Sequence, residues 1–374
     1  MNTKNKNAIF FAISDGYAFA VANILMSLQR YSPELMRTAD VIVYHNGLSE
    51  KNAELLRSLH GDIYFPLMEF PKEWEAILSH PRVLRWGEYV VCKLFGFELI
   101  ERYERVLHLD ADMHVRGDIS GLFQLEEELA WRSIIGWDTA QIFSDILPEG
   151  GKIKCGNGGL FMFTDRLLKY NIDAAEIKAA FDEVKNLRDG GIDELVTAWL
   201  VHKKGISLRE LDISAYNTPV ACDRGESVLV HFLDYYSVSG KPWKNPAAFM
   251  YYGDWAENYR RWTEAGGEEA VSFSGKDYYG LFGYERVKEL NRLKDDLAAA
   301  LAQREEALGA LERKKAEAHS LREENRRLSG EIRRAEQQNL HLEVTLGAIV
   351  SSRSWKITRP LRALADFFRG LGRR

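Results

Sequence analysis

Short apolar runs alternate with stretches of helical spacing through most of the chain. Ala8 to Ile13 has the continuous apolar character of a buried strand and stops at the turn Ser14-Asp15-Gly16. Ala18 to Tyr31 then repeats apolar residues at helical intervals, with Val21, Leu25 and Leu28 on one side. Val41 to Tyr44 predicts a second strand, Glu50 to His60 a second helix and Asp62 to Leu67 a third strand. Arg85 to Ile100 reads as a helix carrying Lys93, and Val106, Leu107 and Leu109 as the core of another buried strand. Ser133 to Trp137, Gly158 to Phe163 and Val228 to Phe232 predict further strands, with helices over Asp173 to Asn186 and Ile192 to His202. This alternation predicts an α/β domain with a largely parallel sheet. In such sheets ligands sit beyond the carboxyl ends of the strands.

The period changes at Leu290. With position a at Leu290, Leu297, Arg304, Leu311, Ala318, Asn325, Ile332, Asn339 and Leu346, the heptad runs unbroken, and 14 of its 18 a and d sites are apolar. A merely solvated helix would not keep such a seam, so residues 285–350 predict a coiled coil about 90 Å long at 1.5 Å per residue. Asn325 and Asn339 at a positions favour a parallel, in-register homodimer. Arg304, Lys314 and the many alanines weaken its first half.

Charge sharpens these divisions. The 374 residues carry a net charge of -5, divided as -11 over residues 1–284, 0 over 285–350 and +6 over 351–374. The expected organisation is therefore an α/β domain over 1–284, a coiled coil over 285–350 and a basic amphipathic tail over 351–374. The acidic front part argues against nucleic acid as a partner. Three cysteines, Cys92, Cys155 and Cys222, lack metal-ligand spacing and fit a reduced, cytoplasmic setting. Ile9 to Leu28 is apolar enough to suggest a signal peptide, but Ser14, Asp15 and Gly16 interrupt it without a convincing cleavage pattern. No run reaches membrane-spanning length.

The chemistry concentrates in Arg105 to Phe123, RVLHLDADMHVRGDISGLF. Its apolar run ends in Asp110 and Asp112, separated only by Ala111. Two carboxylates at the end of a buried strand are costly unless something positive sits on them. A divalent metal is the natural partner, because hard cations prefer carboxylate oxygens. CGNGGLFMF places Asn157 in a glycine turn before a strand, where glycines serve close ligand approach or the turn alone. Asp193-Glu194 opens a helix, where acids also suit the dipole. His231 ends a strand ahead of Gly240-Lys241-Pro242-Trp243; a lone histidine there is more often a satisfied core residue. Tyr17 is either a base-stacking ring or an ordinary half-buried tyrosine.

In this order, FAISDGY, HLDADMHVRGDIS, GNGGLFMF, DELVTAW and VHF…GKPW resemble the family 8 glycosyltransferases over roughly residues 8–255. That group includes glycogenin and bacterial lipopolysaccharide galactosyl- and glucosyltransferases. The resemblance implies a GT-A fold, transfer from a UDP-sugar with retention, and Mn2+ or Mg2+ held by Asp110, Asp112 and His231. It implies that Lys241 meets the diphosphate, that Ala12, Ser14, Asp15 and Tyr17 lie near the uridine, and that Asn157 and Asp193 face the donor sugar. Lys93, Ala111 and Gly240 complete the implied nucleotide-binding set. The chain departs from the family at Ser14, usually Asp, so that either Ser14 or Asp15 would meet the uracil. Lys93 replaces an arginine, Asp193-Glu194 replaces Asp-Gln-Asp, and Asp234 to Ser239 lengthens the gap between His231 and Lys241.

Retention requires front-face return of the acceptor, the expectation here, or a carboxylate nucleophile, for which Glu194 is the candidate. The expected acceptor is a glycan or lipid-linked glycan of bacterial cell-surface polysaccharide synthesis. A rival from another class is an inactive transferase-like scaffold that recruits assembly enzymes through its coiled coil. The tail SSRSWKITRPLRALADFFRGLGRR more loosely resembles those following coiled coils in polysaccharide-assembly enzymes. It reads either as a contact with anionic membrane or as a plain disordered basic segment.

Overall fold

The computed structural model describes residues 5–134, 139–147, 153–234, 239–272 and 284–371. Its main sheet has seven strands: β1 (Asn5–Ile13), β2 (Ala39–His45), β3 (Ile63–Tyr64), β4 (Tyr103–Leu109), β6 (Leu129–Ser133), β7 (Gly156–Thr164) and β8 (Leu208–Glu210), in the order β3-β2-β1-β4-β7-β6-β8. A second sheet, β5-β10-β9, is made from β5 (Met113–Val115), β9 (Thr218–Pro219) and β10 (Leu229–His231). The expected α/β GT-A architecture with a long helix behind it is what the chain adopts. The sheet is more mixed than the apolar runs implied. β7 pairs antiparallel with both β4 and β6, whereas β1, β2, β3 and β4 run parallel. Apolar runs report burial on both faces and not strand direction, which is why β7 looked like its neighbours.

Both faces of the sheet are covered. Ile9, Phe11 and Ile13 enter one core, and Ala8 and Phe10 the other. Helix Ala18–Tyr31 packs on the first face and is buried all round from Ala18 to Leu28. Helix Gly253–Glu264 covers its outer side, with Asn23 donating to the Trp255 carbonyl at 2.8 Å and Asn258 to the Ser27 hydroxyl at 2.9 Å. The chain leaves β1 toward β2 on one side and reaches β4 on the other, so a crevice opens at the carboxyl ends of β1 and β4. The Ser14 turn and the Asp110–Asp112 turn both stand on that edge.

Two segments differ from the sequence reading. The helix expected over Arg85 to Ile100 is broken into Pro81–Trp86, a 3-10 segment Glu88–Phe95 and Gly96–Leu99. Gly87 causes the first break by adopting φ +87°, which ends a right-handed helix. The strand expected over Asp62 to Leu67 is paired only at Ile63–Tyr64, with one isolated bridge from His45 to Leu67. Of the strand expected over Ser133 to Trp137, Ile135 to Trp137 lie outside the described residues.

Compactness divides the chain into residues 1–298 and 299–374. A single helix, Tyr284–Ser351, runs for 68 residues across that boundary. Heptad residues Leu297, Leu311, Leu321, Leu328, Ile332, Leu342, Leu346 and Ile349 are exposed on it. Helices Arg353–Ile357 and Arg359–Leu371 follow. Among the described residues no helix is long and apolar enough to cross a membrane.

Candidate active site

The acidic turn is built by the two sheets meeting. β4 ends at Leu109, and the Asp110 N–H donates to the Gly159 carbonyl of β7 at 3.0 Å. The Met113 N–H donates back to the Asp110 carbonyl at 3.2 Å and tightens the turn into β5. β10 pairs antiparallel with β5, setting His231 opposite Met113, and the Phe232 N–H binds the Asp112 carbonyl at 2.9 Å. His231 therefore arrives beside Asp112 from a strand distant in sequence. Its Nε2 lies 3.1 Å from Asp112 and 3.9 Å from Asp110. One ligand atom from each of Asp110, Asp112 and His231 falls within 4.8 Å of the others.

Cations flank this group. Buried Lys93 bridges Asp110 at 3.2 Å and Asp193 at 3.3 Å. Lys241 Nζ lies 2.5 Å from Asp112 and 3.5 Å from the Phe232 carbonyl. Burial alone would raise the Asp110 carboxyl, but Lys93, His108 and His231 outweigh it and hold it well below the usual range. Asp112 is likewise lowered against its burial, by His231 and Lys241. Burial would depress the Lys93 ammonium, yet Asp110 and Asp193 hold it above its ordinary value. At these three groups charge pairing overrides desolvation.

Asn157 and Glu194 close the far side. Glu194 Oε1 accepts from the Gly158 N–H at 2.8 Å and from Asn157 Nδ2 at 3.3 Å, and Oε2 from the Gly191 N–H at 3.1 Å. It ties the start of helix Ile192–Lys204 to the start of β7. Burial first, then the neighbouring Asp193 charge, pushes the Glu194 carboxyl up to about 7. The glycines of GNGG make room for these side chains. A Cβ on Gly158 would lie 2.5 Å from Asp193 and 2.7 Å from Lys93, and one on Gly159 would overlap the His231 ring.

Asp110, Asp112, His231, Lys93, Lys241, Asp193, Glu194 and Asn157 thus form one contiguous cluster, with Ala111 half-buried inside the turn. Gly240 adjoins it, its N–H reaching Asp234 at 3.3 Å. The β1 end is a separate arm. Tyr17 is half-buried with its ring edge-on to Trp243 at 6.0 Å, and burial raises its hydroxyl while nearby Lys241 opposes this. Ala12 and Ser14 are partly buried at the end of β1. Asp15 caps helix Glu50–Leu59, accepting from the Ser49 N–H at 2.8 Å, Ser49 Oγ at 3.0 Å and Asn52 Nδ2 at 2.7 Å.

Sequence reasoning missed two groups. His108 lies 3.1 Å from Asp110, and its apolar strand hid it. Asn217 touches both Asn157 and His231. Its only sequence signal is the turn-forming Asn-Thr-Pro that follows Tyr216.

The mixed α/β fold thus carries an acidic turn and a histidine at its crevice. Residues 8–132, about a third of the chain, match the family model for glycosyl transferase family 8. No curated protein sequence matches the chain. Among solved structures it is similar to the WbbM bifunctional glycosyltransferase in its apo form, at 16% identity and TM-score 0.48, covering 71% of this chain and 52% of that one. The chain thus spans about half the length of the WbbM structure. It is also similar to the galactosyltransferase LgtC in complex with donor and acceptor sugar analogs, at 17% identity and TM-score 0.49, covering 73% and 99%. The apo-form glycosyltransferase GlyE of Streptococcus pneumoniae TIGR4 gives 14% identity and TM-score 0.46, covering 70% and 64%.

Proposed function

We propose that the protein is a retaining, metal-dependent hexosyltransferase that uses a UDP-sugar to extend a growing cell-surface glycan. The observation that carries this reading is the grouping of Asp110, Asp112 and His231 between Lys93 and Lys241 at the carboxyl edge of the sheet. Two carboxylates and an imidazole suit Mn2+ or Mg2+. The fit is supported by the His231 ring, whose Nδ1 is engaged by Asn217 so that Nε2 points at the carboxylates. When bound there, a divalent ion would supply Lewis-acid stabilisation to the departing diphosphate.

The chain's own groups would do the rest. Lys241 sits where it can pass from Asp112 to a diphosphate oxygen and add positive charge to the leaving group. Lys93 holds Asp110 and Asp193 in place, so that Asp193 and Asn157 are presented toward the donor sugar. Ala12, Ser14 and Tyr17 form the nucleoside arm, with Tyr17 as the stacking ring. Because Asp15 Oδ1 is engaged by Ser49 and Asn52, Ser14 is the group we assign to the base. Glu194 is committed to two backbone N–H groups and Asn157, so we assign it a positioning role. Retention is then read as front-face return, with the acceptor entering on the side that UDP leaves.

The rest of the chain would place this enzyme. The exposed heptad leucines support a parallel homodimer over residues 285–350. The tail, whose Leu361 and Leu364 are exposed among basic residues, would hold the dimer on the anionic cytoplasmic face of a membrane, near lipid-linked acceptors. The test is UDP release by the purified protein against a panel of nucleotide sugars, with and without Mn2+. Metal-dependent release with a UDP-hexose is expected. Silence with every donor would leave the recruiting scaffold as the better reading.

A further inference from the structure

Asn217 is fully buried, lies outside the motifs read from the sequence and adopts a left-handed backbone at φ +51°, which asparagine tolerates better than most side chains. The Arg132 Nε–H anchors its carbonyl at 3.0 Å. Its side chain is the middle of a polar chain whose direction is set at the far end. The Gly158 N–H and the Asn157 amide both donate to Glu194 Oε1. Asn157 Oδ1 must then face the other way, where it accepts from the Gly159 N–H at 3.3 Å and from Asn217 Nδ2 at 3.0 Å. Backbone N–H groups can only donate, so this polarity is obligatory. Asn217 is left with Oδ1 toward His231, 2.8 Å from Nδ1.

We propose that Asn217 is a positioning residue that fixes the ring tautomer and orientation of His231. Nδ1 carries the proton, and the Nε2 lone pair is presented to a divalent cation between Asp110 and Asp112. The His231 ring fills the space a Cβ on Gly159 would take, so glycine there leaves room for the imidazole. Hydrogen-bond partners such as Asn217 orient metal-ligating histidines and raise their basicity. The inference rests on the proposed metal site.

The test uses the full chain with Asn217→Gly, which keeps the left-handed backbone, and Asn217→Asp, which keeps an acceptor toward Nδ1. Mn2+ affinity is read from the electron paramagnetic resonance signal of the free ion, and the His231 tautomer from 15N spectra with Mg2+ at a pH where imidazole is neutral. Thermal midpoints of the metal-free proteins control for folding. Asn217→Gly should weaken Mn2+ binding on the order of 10- to 100-fold, Asn217→Asp should restore most of it, and the wild-type ring should carry its proton on Nδ1. A wild-type proton on Nε2, or undiminished Mn2+ affinity in a folded Asn217→Gly protein, overturns the assignment. Should Asn217→Gly fail to fold, the wild-type spectrum and Asn217→Asp decide. Wild-type protein that binds no Mn2+ overturns the metal reading instead, and the ring spectrum then decides the role of Asn217 alone.

Discussion

Replacing Lys93 by methionine isolates what one buried cation does for the cluster. The substitution keeps the unbranched stem in a buried segment and removes only the charge. Asp110 and Asp193, at 3.2 and 3.3 Å from Nζ, then lose the cation they share. Removing one partner of a buried ion pair costs about 3–5 kcal/mol. Asp110 keeps some water contact, with its side chain 27% exposed, so we expect about 3 kcal/mol. The pH dependence has a definite sign. Lys93 helps depress Asp110, so its contribution is present above the unfolded carboxylate pKa, about 3.9, and is lost as pH falls through the lower folded value. Without Lys93, burial pushes the Asp110 carboxyl upward, and the folded variant takes up a proton that the wild type does not. The deficit should therefore be largest near pH 7 and shrink toward pH 4. Urea unfolding of the metal-free proteins, followed by tryptophan fluorescence across that range, measures it. A variant as stable as wild type at pH 7, or a deficit that stays constant with pH, would refute the reasoning.

Other expectations follow from the same geometry. Asp110→Ala and Asp112→Ala should abolish metal-dependent UDP release, a loss of several kcal/mol in the transition state, while circular dichroism stays native; wild-type rates would remove the turn from the site. Gly159→Ala should displace the His231 ring and weaken Mn2+ binding more than it lowers the metal-free melting temperature; equal binding measured calorimetrically would count against the ring contact. A chain ending at residue 284 should scatter light as a monomer and the full chain as a dimer, and a dimeric short form would move the interface into the α/β domain. The full chain should pellet with anionic but not neutral liposomes and release as salt rises, each basic tail residue contributing about 1 kcal/mol; equal pelleting of a form ending at Val350 would discard the tail contact.

Most of the fold was legible because burial writes a plain pattern. β1, helix Ala18–Tyr31 and helix Ile192–Lys204 follow directly from apolar runs and helical spacing. Strand direction was not legible, because β7 is as apolar as the parallel strands beside it. The break at Gly87 was overlooked because Arg85 to Ile100 keeps apolar residues at near-helical intervals on both sides of it. A 3-10 segment spaces its buried face every three residues, close enough to 3.6 over one or two turns to pass for a helix.

The candidate site divides along a physical line. Asp110 and Asp112 stood out because two carboxylates at a strand end are costly without partners, whereas the roles of His231 and Lys241 came only with the family resemblance. The group that serves His231 did not stand out. Asn217 is neutral, and its importance lies in which way its amide points, a property no residue type encodes. Asp15 shows the converse. An acid in a turn beside the crevice invites a ligand role, yet its Oδ1 is engaged by the first turn of a neighbouring helix. What distinguishes the two cases is the hydrogen-bond account of each oxygen: Asp15 Oδ1 already accepts from three donors, whereas Asp112 faces a lysine that a diphosphate could draw away and an imidazole nitrogen that a metal could claim. A carboxylate whose partners are exchangeable can take part in turnover, and one whose partners are backbone and cap groups holds the fold.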